Sequence, residues 1–230
     1  MNDQCIHCQE EFHAPISFKD LLLWKPIDQG LVCPKCFSHF QKVDPARMCP
    51  TCSKYLESGA VCADCQAWQD LYPDISGRHL ALFYYDDFAK DWMFEFKMKG
   101  DIRFGLVFGQ VLRECIKRHF PNHLLVPIPS STPHFKDRGF NQIDVILSVL
   151  SFEYEDLLAN TSHGLGQAKK TRADRLRTDQ PFSYRGAGDL TQVDILLVDD
   201  VYTTGRTLYH AKRLLTDQGA RRVDSLSLFR

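Results

Sequence analysis

Eight of the nine cysteines in this 230-residue chain lie within the first 65 residues, and all eight fall into Cys-x-x-Cys pairs: Cys5/Cys8, Cys33/Cys36, Cys49/Cys52 and Cys62/Cys65. No other feature limits the possible folds as tightly. A two-residue spacer lets one tight turn aim both thiolates at a single ion while its backbone amides reach the sulfurs, and two such knuckles complete a closed, structural tetrahedral site. Four knuckles supply sulfur for two Zn2+ ions. The opening residues, Met-Asn-Asp-Gln-Cys, have neither a basic n-region nor an apolar h-region, so no signal peptide is expected and a cytoplasmic location is. In such a compartment the repeated spacing favours metal over disulfides. A thioredoxin-type redox site needs one pair at a helix start after a strand, which four repeats fit poorly.

The expected pairing is sequential, with Cys5, Cys8, Cys33 and Cys36 on one ion and Cys49, Cys52, Cys62 and Cys65 on the other; an interleaved, cross-braced pairing is the alternative. The second set is compact, with nine residues (53–61) between its pairs, and resembles a short zinc ribbon. The first carries a 24-residue insert (9–32) whose Leu21, Leu22, Leu23 and Trp24 suit a small hydrophobic buttress. His7, His13 and His39 are either substitute ligands or ordinary surface residues. So small a module has little core, and its folding should depend on the metal. Its expected extent is residues 1–70.

Net charge is −1, which points to no global attraction for nucleic acid or membrane, so any such surface must be local. The apolar runs at 21–24 and 106–112 are far too short to span a bilayer, and no membrane insertion is expected. Residues 66–78, with Pro73 and Gly77, read as a connector into a second domain over 71–230. There, strand patterns at 79–85, 124–128, 193–198 and 223–229 alternate with helix patterns at 88–99, 104–119, 142–150 and 206–218, the last capped by Gly219. Cys115 reads as a buried core thiol in the second of these helices. Strands alternating with helices imply an α/β domain with a parallel sheet and helices on both faces. Ligands of such sheets bind at the carboxyl ends of the strands.

The segment 195–207, Ile-Leu-Leu-Val-Asp-Asp-Val-Tyr-Thr-Thr-Gly-Arg-Thr, sits at such an end. Its apolar run suits a strand buried on both faces. Adjacent carboxylates at Asp199 and Asp200 are costly there unless hydroxyls, a cation or hydrogen-bond donors meet them. The vicinal hydroxyls of a ribose provide two donors. Thr203, Thr204, Gly205, Arg206 and Thr207 then offer hydroxyls and amides at a helix start that favours an anion. A strand running into a capped helix would also place Asp and Thr here, but it does not call for the acid pair and Thr-Thr-Gly together. The two halves describe a site for ribose 5-phosphate.

This loop resembles the fingerprint of type I phosphoribosyltransferases, which bind 5-phosphoribosyl 1-pyrophosphate with Mg2+. Taken with the Cys-x-x-Cys front, Phe96-Lys97-Met98-Lys99-Gly100-Asp101, Val126-Pro127-Ile128-Pro129 and Arg138-Gly139-Phe140-Asn141-Gln142, the chain over its whole length resembles the ComF family of bacterial competence proteins, and its double knuckle set is similar to the ComFC proteins of Gram-positive bacteria. The resemblance implies a type I phosphoribosyltransferase-like fold behind a double zinc ribbon. It also implies a late role in natural transformation: handling incoming single-stranded DNA at the cytoplasmic side of the uptake machinery with a ComFA-type helicase/ATPase. Candidate DNA contacts are Lys97, Lys99, Arg103, Arg138 (beside Phe140), Lys169, Lys170, Arg172 and Arg175, with Arg177 nearby, since cations neutralise phosphates and exposed aromatics stack on bases. A solvated face, or a loop over pyrophosphate, explains the same basic run. The alternative function is an active phosphoribosyltransferase with an unknown acceptor. That reading needs a pyrophosphate side, for which Pro129, Ser130, Ser131 and Arg138 are candidates, and an acceptor hood, for which no separate segment is evident. A regulator of the purine-operon type would need a helix-turn-helix, and none is found.

Overall fold

A computed structural model describes residues 3–13, 30–57, 59–130, 141–161 and 180–230. Leu21–Trp24 of the insert, Ser131, Arg138, Lys169, Lys170, Arg172, Arg175 and Arg177 lie outside the described residues.

Before the central sheet come a two-residue antiparallel pair, β1 (Asp3–Gln4) and β2 (Glu11–Phe12), and the short helices α1 (Pro34–Phe37) and α2 (Ala63–Leu71). The sheet itself is built from β3 (His79–Phe83), β4 (Leu124–Pro127), β7 (Asp194–Val201) and β8 (Arg222–Phe229), all parallel, in the order β3-β8-β7-β4. Between β3 and β4 run α3 (Asp87–Met98), α4 (Arg103–Leu106) and α5 (Gly109–His119); α6 (Gln142–Val149) follows β4 and α7 (Arg206–Asp217) connects β7 to β8. An antiparallel pair, β5 (Leu158–Asn160) and β6 (Phe182–Tyr184), stands apart from the main sheet.

The apolar run of β7 explains the layering. Successive side chains of a strand point to opposite faces. Leu196 and Val198 join Trp92, Phe96, Phe108, Ile143 and Leu226 in one core, while Ile195 and Leu197 join Leu208, Ala211, Leu215 and Val223 in the other. All four β7 residues are fully buried. The first face is covered by α3, α5 and α6. The second is covered by α7 together with Cys49, Cys52, Cys62 and Cys65, which belong to the same core cluster.

The cysteine-bearing segments also cover the outer edge of β3. His79 N–H donates to the Thr51 carbonyl (3.0 Å), Ala81 N–H to Ser53 Oγ (3.2 Å) and Tyr84 N–H to the Gln41 carbonyl (2.8 Å). An open strand edge would otherwise present unpaired donors and acceptors. Phe40 passes into the first core, its ring 5.0 Å from those of Phe88, Trp92 and Phe108 and 5.5 Å from that of Phe83.

Three expectations are corrected. Residues 66–71 are no connector: α2 runs on from the last knuckle to Leu71 because Trp68 is drawn in against Tyr209, rings stacked 4.6 Å apart. The helix pattern at 104–119 breaks into α4 and α5 at Val107 and Phe108, which sends the Phe108 ring into the core. Gly105 lets α4 lie close against α3, since a Cβ there would stand 2.5 Å from the Phe96 ring. Cys115 is only partly buried, although that burial pushes its thiol up to about 11.

Phe40→Ala should empty a well-packed site and cost about 3–5 kcal/mol of stability. Urea denaturation of the full chain checks it. A loss below roughly 1 kcal/mol would mean that the segment after the first knuckles is not part of this core.

Candidate functional site

Two sets of thiols meet the geometric demand of a tetrahedral ion. Within Cys5, Cys8, Cys33 and Cys36, and within Cys49, Cys52, Cys62 and Cys65, all sulfurs lie within 4.8 Å of one another. The Cys8–Cys33 and Cys52–Cys62 distances are 3.8 and 3.7 Å. A tetrahedron with metal–sulfur bonds of ~2.3 Å has an edge of ~3.8 Å. The knuckle amides turn inward as the spacing requires: Cys33 N–H donates to Cys5 Sγ, Cys36 N–H to Cys33 Sγ and Cys62 N–H to Cys49 Sγ, each at 3.4 Å. The grouping is the sequential one. His7 takes no ligand position; its ring stacks on Trp92 with Nδ1 3.6 Å from Cys36 Sγ.

At the carboxyl end of β7, Asp199 and Asp200 emerge side by side. Asp200 N–H donates to Asp199 Oδ1 at 2.8 Å. From α3, Lys97 Nζ comes within 2.8 Å of both oxygens of Asp200. The ammonium thus meets the part of the charge problem that the strand creates. Asp199 has no such cation of its own among the described residues: burial, and then the charge of Asp200, push its carboxyl up to about 7, against the smaller opposing pull of the Asp200 amide and Lys97.

Beyond the pair the chain turns through Tyr202, Thr203 and Thr204 into α7. Gly205 makes the turn at φ 81°, in the left-handed region that glycine enters without strain. A side chain there would also strike the Tyr202 hydroxyl, 2.1 Å from where its Cβ would stand. The first amides of a helix have no partner within it, and their partial positive charge favours an anion. Asp199, Thr203, Gly205 and Thr207 line one concavity here. A larger cavity of about 310 Å³ opens between the first knuckle and α3, lined by Ile6, His7, Gln9, Asp91, Glu95 and Phe104. Two of its walls are acidic, Asp91 and Glu95, which disfavours an anion there.

Pro129 and Ser130 follow β4, the neighbour of β7, at the same end of the sheet; Ile128 N–H donates to the Val198 carbonyl at 2.9 Å. Ser130 Oγ donates to Gln142 Oε1 (3.3 Å), and the Pro129 carbonyl accepts from Asn160 Nδ2 (3.3 Å). The candidate DNA-binding cations within the described residues are each ion-paired: Lys97 with Asp200, Lys99 with Glu95 and Arg103 with Asp101. Lys97 therefore stands at the acid pair. Reading along the chain did not single out Trp68 or Arg230. The Trp68 indole N–H donates to the Thr204 carbonyl at 3.0 Å, and Arg230 binds both Cys52 and the loop. Lone residues far away in sequence give no pattern to read. Among the described residues, no helix is long and apolar enough to cross a membrane.

No family model matches the chain. It is 34% identical over 227 residues to "Competence protein ComFC" of Streptococcus pneumoniae, an alignment covering 99% of this chain and 100% of that protein. It is 30% identical over 231 residues to "Competence protein ComFC" of Bacillus subtilis, covering 98% and 94%. Solved structures that overlap part of it include hypoxanthine phosphoribosyltransferases of Staphylococcus aureus (14% identity, 56% of this chain and 63% of that one, TM-score 0.31) and Trypanosoma cruzi (14%, 56% and 65%, TM-score 0.33). The overlap with these enzymes is too slight to carry an argument about the site, which rests on its own residues.

Asp199 keeps its proton to about pH 7 when folded, whereas an unfolded Asp releases it near ~3.9. The folded state binds more protons between those values, so stability should fall as pH rises through that window and level off above it. Asp199→Asn, neutral throughout, should lose this decline. Urea melts at pH 5 and pH 8 test it; an unchanged slope in the variant would disprove the elevated carboxyl.

Proposed function

The chain belongs to the ComFC family of competence proteins, and on that premise we propose that it is a late competence factor whose loop at 199–207 holds a ribose 5-phosphate group. The observation that carries the ligand is the acid pair at the end of a doubly buried strand, followed at once by a left-handed glycine turn and the start of α7. Asp199 and Asp200 accept from the 2′ and 3′ hydroxyls of the sugar. Lys97 orients Asp200 and restrains its charge before the ligand arrives. The hydroxyls of Thr203, Thr204 and Thr207, with the amides that open the helix and the nearby Arg206, surround the 5-phosphate. Where the ligand is 5-phosphoribosyl 1-pyrophosphate, Mg2+ arrives with the pyrophosphate, for which carboxylate, phosphate and water oxygens are the preferred ligands.

The two four-cysteine groups hold zinc in this proposal. Each is closed by four thiols, the form of a structural site with no position left for a substrate. The wider role is handling incoming single-stranded DNA in the cytoplasm together with a ComFA-type ATPase. Family membership supports it, along with the basic run Lys169, Lys170, Arg172 and Arg175.

A second reading, an active phosphoribosyltransferase, is favoured by one observation: Pro129 and Ser130 follow the strand next to β7, where a pyrophosphate would lie beside the sugar. Calorimetric titration with 5-phosphoribosyl 1-pyrophosphate and magnesium should show one site in the wild type and none in Asp199→Asn/Asp200→Asn. Equal binding by the double variant would refute the assignment of the acid pair. Pyrophosphate release on adding nucleobases would move the conclusion to the second reading.

For DNA, the affinity for a fluorescent single strand should drop steeply between about 50 and 200 mM salt, as phosphate neutralisation requires. The drop should be blunted in Lys169→Ala/Lys170→Ala/Arg172→Ala. Salt-insensitive binding, or none, would remove the DNA role.

A further inference from the structure

Three consecutive carbonyls of the 199–207 loop are held by two side chains that adjoin the second cysteine group, one from the end of β8 and one from α2. Arg230 donates from one guanidinium nitrogen to the carbonyls of Tyr202 (3.3 Å) and Thr203 (2.8 Å), from Nε to the Cys52 carbonyl (3.1 Å), and stands 3.6 Å from Cys52 Sγ through its remaining nitrogen. The same guanidinium lies over the Tyr202 ring, 4.5 Å from its centre. The third carbonyl, that of Thr204, accepts from the indole of Trp68. Trp68 is one turn beyond Cys65 on α2, the helix that Cys62 opens, and only 3% of it is exposed.

A trans peptide points its carbonyl and its N–H in opposite directions. Drawing the carbonyls of Tyr202, Thr203 and Thr204 towards the cysteines therefore turns the amides of Thr203, Thr204 and Gly205 away from them, to the side where the acid pair and the Thr207 hydroxyl lie. The orientation of the phosphate-binding amides is thus set from behind the loop, by the group that Cys49, Cys52, Cys62 and Cys65 form. A metal there fixes Cys52 and the start of α2, and with them both anchors. Loss of the metal loosens the Cys52 contacts that orient the Arg230 side chain and the turn that starts α2.

We propose that the metal of the second cysteine group and a sugar phosphate in the 199–207 loop bind cooperatively, with Trp68 and Arg230 as the positioning residues that couple them. This rests on the zinc and ribose 5-phosphate assignments above. Coupling between two binding sites is reciprocal. Metal loading strengthens ligand binding, and ligand must strengthen metal binding by the same factor.

The test uses the full chain, with zinc counted by elemental analysis and ribose 5-phosphate as the probe. Arg230→Gln and Trp68→Phe should each retain two zinc ions per chain yet bind the probe roughly tenfold more weakly, a coupling of ordinary size. In the wild type, saturating ribose 5-phosphate should reduce chelator uptake of one of the two zinc ions, and in Arg230→Gln that protection should vanish. Wild-type affinity in both variants with zinc retained, or chelation of the wild type indifferent to the probe, would overturn the coupling alone. A zinc-loaded wild type that binds no ribose 5-phosphate would overturn the loop assignment and this inference with it. Should either variant fail to fold, the chelation arm on the wild type decides.

Discussion

Burial of β7 on both faces is the constraint from which the other parts of the molecule take their positions. Ile195, Leu196, Leu197 and Val198 face alternate layers, so the strand needs cover on each side. Helices α3, α5 and α6 supply it on one side, and α7 with the second cysteine group on the other. A strand so enclosed has its chemistry confined to where it ends. There the chain presents two carboxylates that the interior would not accept, and α3 brings Lys97 to meet one of them.

The same enclosure makes the knuckle segments part of the sheet's surroundings. Thr51 and Ser53 hydrogen-bond to β3, Phe40 fills the first core, and Cys52 and Trp68 reach the loop after β7 through Arg230 and directly. His79 shows how polar groups are reconciled with that contact. It is 2% exposed, yet its two ring nitrogens meet the hydroxyls of Ser225 (3.0 Å) and Ser227 (3.1 Å), and burial drives its pKa far down. A neutral imidazole with both nitrogens engaged is compatible with a dry layer, whereas a charged one would not be.

Asp199 and Asp200 have the same residue type and adjacent positions but different electrostatic circumstances. Asp200 has a lysine at hydrogen-bond distance; Asp199 has burial and a like charge beside it.

Much of this was legible in the chain alone. The Cys-x-x-Cys spacing marked the four knuckles, because a knuckle is a local turn, but it left sequential and interleaved grouping both open until the structure brought Cys5, Cys8, Cys33 and Cys36 together and Cys49, Cys52, Cys62 and Cys65 together. The apolar run before Asp199 and Asp200 determined a doubly buried strand with two carboxylates at its end, because strand periodicity and the cost of burying charge are local properties. The helix pattern at 104–119 misled because its break depends on which pocket receives Phe108, and residues 66–71 misled because α2 is held by a stacking partner, Tyr209, far away in sequence. Only the tertiary structure decided that Lys97 belongs to the acid pair, and that Trp68 and Arg230 hold the loop carbonyls. Those contacts join residues more than a hundred positions apart or, for Arg230, two different loops at once. A long-range hydrogen bond leaves no spacing in the sequence; it exists only once the sheet has brought its partners together.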